Sequence, residues 1–173
     1  MSDILEIEGK VWLFGDNIST DLLYPQVAFG QPIAEAAKLV FRANRPGWVD
    51  LVEPGDVIVA GMNFGMGSAR PAAPLLKHLG ISAVVGETLA NLFFRNCINF
   101  ALPAMSCPRI ATIVTEGDTL RINFANGLVT NTSRGTTLHG QQLPSELLDV
   151  IADGGLIASL EARHLLQPER KAT

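Results

Sequence analysis

The chain has 173 residues, 47% of them apolar and 17% charged, with a formal net charge of −4. That length suits one domain with a real core, and the acidic balance, without a basic run or aromatic ladder, argues against a nucleic-acid partner. No apolar run approaches a membrane span, and Met1-Ser2-Asp3-Ile4-Leu5-Glu6 lacks the basic start and apolar middle of a signal peptide, so a cytoplasmic protein without a membrane partner is expected.

In chain order, Gly9 to Phe14 reads as a first strand, and Gly15-Asp16-Asn17-Ile18-Ser19-Thr20-Asp21 as a polar turn rich in side-chain acceptors. Leu22 to Gln26 reads as extended ahead of Pro25, and residues 26–31 as a loop containing Phe29 and Gly30. Pro32 opens a helix to about Ala43, with Ile33, Ala36, Ala37, Val40 and Phe41 on one face. Pro46-Gly47 breaks it. After a turn over 51–55, the apolar run 56–60 reads as a buried strand. Ala72 to Leu79 follows as a helix, with Ala72, Leu75, Leu76 and Leu79 on one face and Gly80 as its stop. Ile81 to Val85 reads as a second buried strand and Leu89 to Ile98 as a helix with Leu89, Leu92, Phe93 and Cys97 facing inward. Phe100 to Met105 returns as a strand. This alternation implies parallel strands joined by right-handed crossovers.

The last third changes character. Asp118 to Phe124 alternates polar and apolar, Ala125-Asn126-Gly127 turns, and Leu128 to Asn131 returns, which predicts a hairpin. Pro144 starts a helix over Ser145–Ala152, closed by Gly154-Gly155, and Leu156 to His164 forms a last one. With no repeat and no low-complexity linker, residues 1–173 read as one mixed α/β domain.

Between the strand 56–60 and the helix after it stands Asn63-Phe64-Gly65-Met66-Gly67-Ser68-Ala69-Arg70-Pro71-Ala72-Ala73-Pro74. Gly65 and Gly67 let the backbone turn sharply and approach a ligand, and Pro71 suits the first turn of a helix. Ser68 and Arg70 are therefore expected where strand hands over to helix, beside free amides and the positive end of the dipole. A carboxylate or phosphate belongs there. A Gly-x-Gly turn is equally ordinary structure, and so is a polar loop like 15–21; each needs its context. The stretch is not a P-loop, since no Lys-Ser/Thr pair closes it, nor a dinucleotide fingerprint, since the third glycine is missing and Pro71 intervenes. Arg70 excludes a Gly-x-Ser-x-Gly elbow. Cys97 and Cys107 are too few for a cluster or a structural zinc and read as buried free thiols. His78, His139 and His164 show no ligand spacing, so no metal site is expected in this chain. A mean hydropathy of +0.25 leaves little charge for a solvated surface and points to a permanent partner chain.

Three stretches together carry a resemblance. Residues 15–21, Gly61-Met62-Asn63-Phe64-Gly65-Met66-Gly67-Ser68-Ala69-Arg70, and Phe94-Arg95-Asn96-Cys97-Ile98-Asn99 occur in the order and at the separations of the 3-isopropylmalate dehydratase small-subunit family, the free-standing counterpart of the swivelling C-terminal domain of aconitase. Pro54 to Gly61 and Ala152-Asp153-Gly154-Gly155-Leu156 also fit. The resemblance spans roughly residues 9 to 165. It implies a β/β/α swivelling domain with a mixed, partly parallel sheet, closing over a large subunit that carries a [4Fe–4S] cluster. In such enzymes one iron binds a substrate hydroxyl and carboxylate as a Lewis acid, and a serine of the small subunit takes a proton from the carbon beside a carboxylate. By resemblance, Ser68 is that base, Arg70 binds the carboxylate, Thr20 and Asp21 line the site, and Gly65 and Gly67 bring amides to the substrate.

Departures bear on the substrate. The family pattern usually reads Gly-Cys-Gly-Ser-Ser-Arg-Glu-His, whereas this chain has Met66, Ala69, Pro71 and Ala72. The loop that sets substrate choice corresponds to residues 26–31, where Gln26, Val27 and Phe29 replace a Tyr-Leu-Arg type of sequence and no cation remains. The resemblance therefore implies a hydro-lyase subunit, inactive alone, for a 2-alkylmalate-type hydroxy diacid, with isopropylmalate leading. Alternatives are a dimethylmalate, methylmalate or homoaconitase type of dehydratase, or a small-acid binding or regulatory module that has lost catalysis.

Overall fold

The computed structural model describes residues 5–166. Its strands are β1 (Glu6–Phe14), β2 (Val57–Ala60), β3 (Ala83–Gly86), β4 (Ala104–Ser106), β5 (Thr119–Asn123), β6 (Leu128–Asn131) and β7 (Thr136–His139). Its helices are α1 (Thr20–Leu23), α2 (Ile33–Ala37), α3 (Ala73–Leu79), α4 (Asn91–Asn99), α5 (Ile110–Ile113), α6 (Ser145–Ala152) and α7 (Leu156–Ala162). One mixed sheet runs in the order β4-β3-β2-β1-β5-β6-β7.

The long strand β1 has two sets of partners. Residues 11–14 pair in parallel with β2, from Val11 opposite Val57 to Phe14 opposite Ala60. Residues 6–10 pair antiparallel with β5, from Glu6 opposite Asn123 to Lys10 opposite Thr119. The parallel half is buried on both faces, as its runs Val57-Ile58-Val59-Ala60 and Ala83-Val84-Val85-Gly86 require. Alternate residues feed two cores. Ile58, Ala60 and Val84 join Trp12, Phe14, Phe41, Trp48 and Phe93, while Val57, Val59 and Val85 join Leu120, Ile122 and Val129 from the antiparallel half.

Several expectations are corrected. The helix expected over 32–43 ends at Ala37. Phe41 takes φ +55°, its N–H donates to the Leu22 carbonyl at 2.8 Å, and its ring stacks on Phe14 at 4.2 Å and meets Trp48 at 4.9 Å. Aromatic packing overrides the helical period there. Leu22 and Leu23 close a helical turn instead of extending, because the Ser19 hydroxyl accepts from the Asp21 N–H at 3.1 Å and caps α1. Leu92 faces solvent, 50% exposed, while Phe93, Cys97 and Ile98 form the buried side of α4. The strand expected over 100–105 shortens to Ala104–Ser106, and α5 and β7 carried no apolar pattern long enough to announce them. Among the described residues no helix is long and apolar enough to cross a membrane.

The far end of the hairpin is fastened by Asp118. Its Oδ2 accepts from Arg134 Nε at 2.6 Å, Asn131 Nδ2 at 2.8 Å and the Thr115 N–H at 2.8 Å. The Arg134 hydrogen bond first, then Asn131 and the Thr115 amide, pull its carboxyl down to about 2. A depressed carboxyl stabilises the fold above its ordinary titration range and loses that contribution as pH falls through the folded value. Asp118→Asn should therefore lower Tm at pH 7, and thermal melts should show its gap from the parent closing between pH 4 and pH 2.

Candidate active site

Three of the parallel strands, β1, β2 and β3, end at the same edge of the sheet, and the loops leaving them form the candidate site, the usual place for ligands in parallel sheets. These loops are tied to one another by backbone. The Asn17 N–H donates to the Met62 carbonyl, Gly65 N–H to Ile18 and Thr20 N–H to Met66, each at 2.8 Å. Asp16 Oδ1 accepts the Met62 N–H at 2.7 Å, and Asn63 Nδ2 donates to Asn17 Oδ1 at 3.1 Å. From the third loop, Thr88 Oγ1 accepts the Asn63 N–H at 2.7 Å. Asn17 and Asn63 both adopt positive φ, 56° and 60°, which asparagine tolerates better than most side chains.

Loops 15–21 and 61–70 thus bring Thr20, Asp21, Gly65, Gly67, Ser68 and Arg70 together. Buried Thr20 donates its hydroxyl to the Ser68 carbonyl at 2.9 Å, fixing the backbone of a residue whose side chain is exposed. The Ser68 hydroxyl has no hydrogen-bond partner among the described residues. Arg70 is held on three sides: Nη1 donates to the Tyr24 carbonyl at 2.8 Å, Nη2 pairs with Asp21 Oδ1 at 2.7 Å, and the Phe29 ring lies 5.0 Å from its Cζ. Phe29 in turn packs on Tyr24 at 4.9 Å. The cation is therefore fixed in place but already partnered by a mostly exposed carboxylate. Gln26 and Val27 lie in a 3₁₀ turn beside Phe29, and both are exposed.

Two details differ from the sequence reading. Ser68 does not sit at a helix start: α3 begins at Ala73, with Pro74 rather than Pro71 in its first turn. Residues 68–72 form an open loop in which the Arg70 N–H bonds the Ser68 carbonyl and the Ala72 N–H bonds the Arg70 carbonyl, both at 2.8 Å. The Gly65 amide, moreover, is bonded to Ile18 and is no ligand donor. Gly65 is needed because at φ +78° a Cβ would stand 2.2 Å from Phe93 Cγ. The amides of Gly67, Ser68 and Ala69 make no hydrogen bond among the described residues, and these three residues are exposed; consecutive free amides suit an anion. Phe93 faces inward as expected and lies against Gly65, whereas the support that Asn96 and Thr88 give the loops was not anticipated. Asn96 lay inside a stretch already singled out, but nothing in its spacing gave it a partner.

Among the described residues no group of three or more His, Cys, Asp or Glu is placed to hold a metal ion. Cys97 and Cys107 are buried free thiols; burial pushes the Cys97 thiol far up and the Cys107 thiol up to about 11. Two buried cysteines with no further ligand grouped beside them fall short of a cluster's ligand set among the described residues.

Residues 49–109 match the aconitase C-terminal domain family. The crystal structure of 3-isopropylmalate dehydratase from Methanocaldococcus jannaschii superposes with a TM-score of 0.86 at 30% identity, covering 93% of this chain and 96% of that one. Fold and site together define a domain of the aconitase C-terminal type, with a mixed sheet and its loop site at the parallel edge. The chain is 41% identical over 160 residues to the isopropylmalate/citramalate isomerase small subunit of Methanocaldococcus jannaschii, covering 91% of this chain and 95% of the relative. It is 36% identical over 160 residues to the 3-isopropylmalate dehydratase small subunit of a Hydrogenobaculum species, covering 91% and 97%. It belongs to the family of 3-isopropylmalate dehydratase small subunits and is a hydro-lyase component.

Proposed function

We propose that this chain is the small subunit of a two-chain cytoplasmic iron–sulfur hydro-lyase acting on an alkyl-substituted malate, with 3-isopropylmalate as the leading substrate. The observation that carries this reading is the exposed Ser68 hydroxyl, set by the Thr20 bond beside an immobilised Arg70 and three free amides. The [4Fe–4S] cluster, held by the large subunit, supplies Lewis-acid activation of the departing hydroxyl. This chain does the rest. Arg70 and the amides of 67–69 receive the carboxylate next to the acidic C–H, Asp21 yielding or sharing its side of the guanidinium. Ser68 Oγ then takes the proton from that carbon, its anionic form favoured by the same cation and amides. Water then adds back with its positions exchanged, the hydroxyl to the carbon that lost the proton and the proton to the carbon that lost the hydroxyl, which completes an isomerisation.

Substrate choice follows from residues 26–31. Val27 and Phe29 are 61% and 49% exposed, and the segment holds no Lys or Arg. They can cover an alkyl group, a gain of about 1–3 kcal/mol, whereas an additional carboxylate would be buried without a partner. The substrates named for the Methanocaldococcus relative, isopropylmalate and citramalate, are both malates bearing an alkyl group. Reconstitution with the large subunit tests the proposal. The mixture should dehydrate isopropylmalate, dimethylmalate or methylmalate with kcat/KM about a hundredfold or more above that for citrate. No turnover of any of them, or citrate as the best substrate, would overturn it.

A further inference from the structure

Helix α4 touches the loop that carries Ser68 and Arg70 at both of its ends. At the first end, the Phe93 ring lies directly beneath Gly65, so close that a Cβ there would be 2.2 Å from the ring. At the other, Asn96 Oδ1 accepts the N–H of Ala73, the first residue of α3, at 2.9 Å. Phe93 and Asn96 are three residues apart and share one face of α4.

The Asn96 bond meets a specific need. The first amides of a helix have no acceptor within it, and a Ser, Thr, Asp or Asn at the N-cap normally supplies one. Here the N-cap is Ala72, which has no side-chain acceptor to offer, and no local capping bond exists. The missing acceptor comes from another helix. Between the two anchors the loop is held by Thr20 on the Ser68 carbonyl and by the two short turns at Arg70 and Ala72.

We infer that Asn96 is a positioning residue for the base. It clamps the start of α3 and, through the Arg70 and Ala72 turns, holds Ser68 and Arg70 in register with each other. This rests on the assignment of Ser68 as the base. Losing the anchor loosens the loop without opening the core, because Asn96 lies on the rim of α4, outside its buried Phe93, Cys97 and Ile98. A displacement of about an ångström at a catalytic group can cost about a hundredfold in rate.

The experiment uses the reconstituted complex and isopropylmalate. Asn96→Ala should lower kcat about ten- to a hundredfold and speed amide exchange at Ala73. Asn96→Asp, which keeps an acceptor oxygen in the same place, should recover most of kcat. In a Ser68→Ala background, Asn96→Ala should change the residual rate less than twofold, because Asn96 acts through Ser68. If Asn96→Ala does not assemble, Asn96→Ser, whose shorter hydroxyl cannot reach Ala73, is read the same way. An unchanged kcat, a failure of Asn96→Asp to recover it, or an undiminished loss in the Ser68→Ala background would each overturn the inference. A parent complex without turnover would instead defeat the assignment of Ser68 on which it rests.

Discussion

Ser68→Ala is expected to cut kcat of the assembled complex by about a thousandfold while leaving its assembly and fold intact. The side chain is exposed and its hydroxyl has no partner among the described residues, so its loss removes no internal contact. The loop is held by the Ser68 carbonyl, which accepts from Thr20 Oγ1, and alanine keeps that carbonyl. Substrate affinity should change little, since Arg70 and the free amides remain. Steady-state kinetics beside a sedimentation profile of the variant would separate these terms. A variant that assembles normally and keeps more than a tenth of kcat would remove Ser68 from its role. The chain would then be better described as a binding module, the reading that Ala69, Pro71 and Ala72 leave open.

The second large effect lies beneath the same loop. Gly65→Ala adds a methyl group 2.2 Å from Phe93 Cγ and 2.3 Å from its Cβ, at φ +78°. Phe93 is 1% exposed and packs edge-on against Phe64 at 5.3 Å, so it has nowhere to go. Overpacking and backbone strain together should cost about 4 kcal/mol, or roughly 8–16 °C in Tm for a chain of this size. Gly30→Ala separates the two contributions: Gly30 has φ +74° but nothing within 4 Å of its added Cβ. It should cost about 1–2 kcal/mol from strain alone. Equal losses at the two positions in thermal melts would show that the Phe93 contact is unimportant.

Much of the fold was readable from local pattern. The apolar runs of β2 and β3, the face of α3 with its Gly80 stop, the hairpin around Ala125-Asn126-Gly127 and the helix after Pro144 all announced themselves. What stayed hidden depends on contacts far away in the chain. Phe41 has the spacing of a helical core residue, yet its place is set by Phe14 and Trp48. The antiparallel partnership of β1 with β5 needs knowledge of what a polar strand, Glu6-Ile7-Glu8-Gly9-Lys10, will meet more than a hundred residues later. In the site, the glycines and Ser68 pointed to a turn and an exposed hydroxyl. The Arg70–Asp21 ion pair and the support from α4 could not be read, because each joins separate segments.

The two-sided pairing of β1 also sets a timetable for synthesis. Residues 6–10 leave the ribosome well before their partners in β5, which lie about 110 residues downstream. At roughly 5–20 residues per second, that stretch of strand waits about 5–20 s with an unpaired edge. Its outward positions are Glu6, Glu8 and Lys10, all exposed in the finished fold. Charges on an open edge discourage pairing with other chains. The same charges that leave the start of β1 unannounced in the sequence thus keep nascent chains apart until the hairpin arrives.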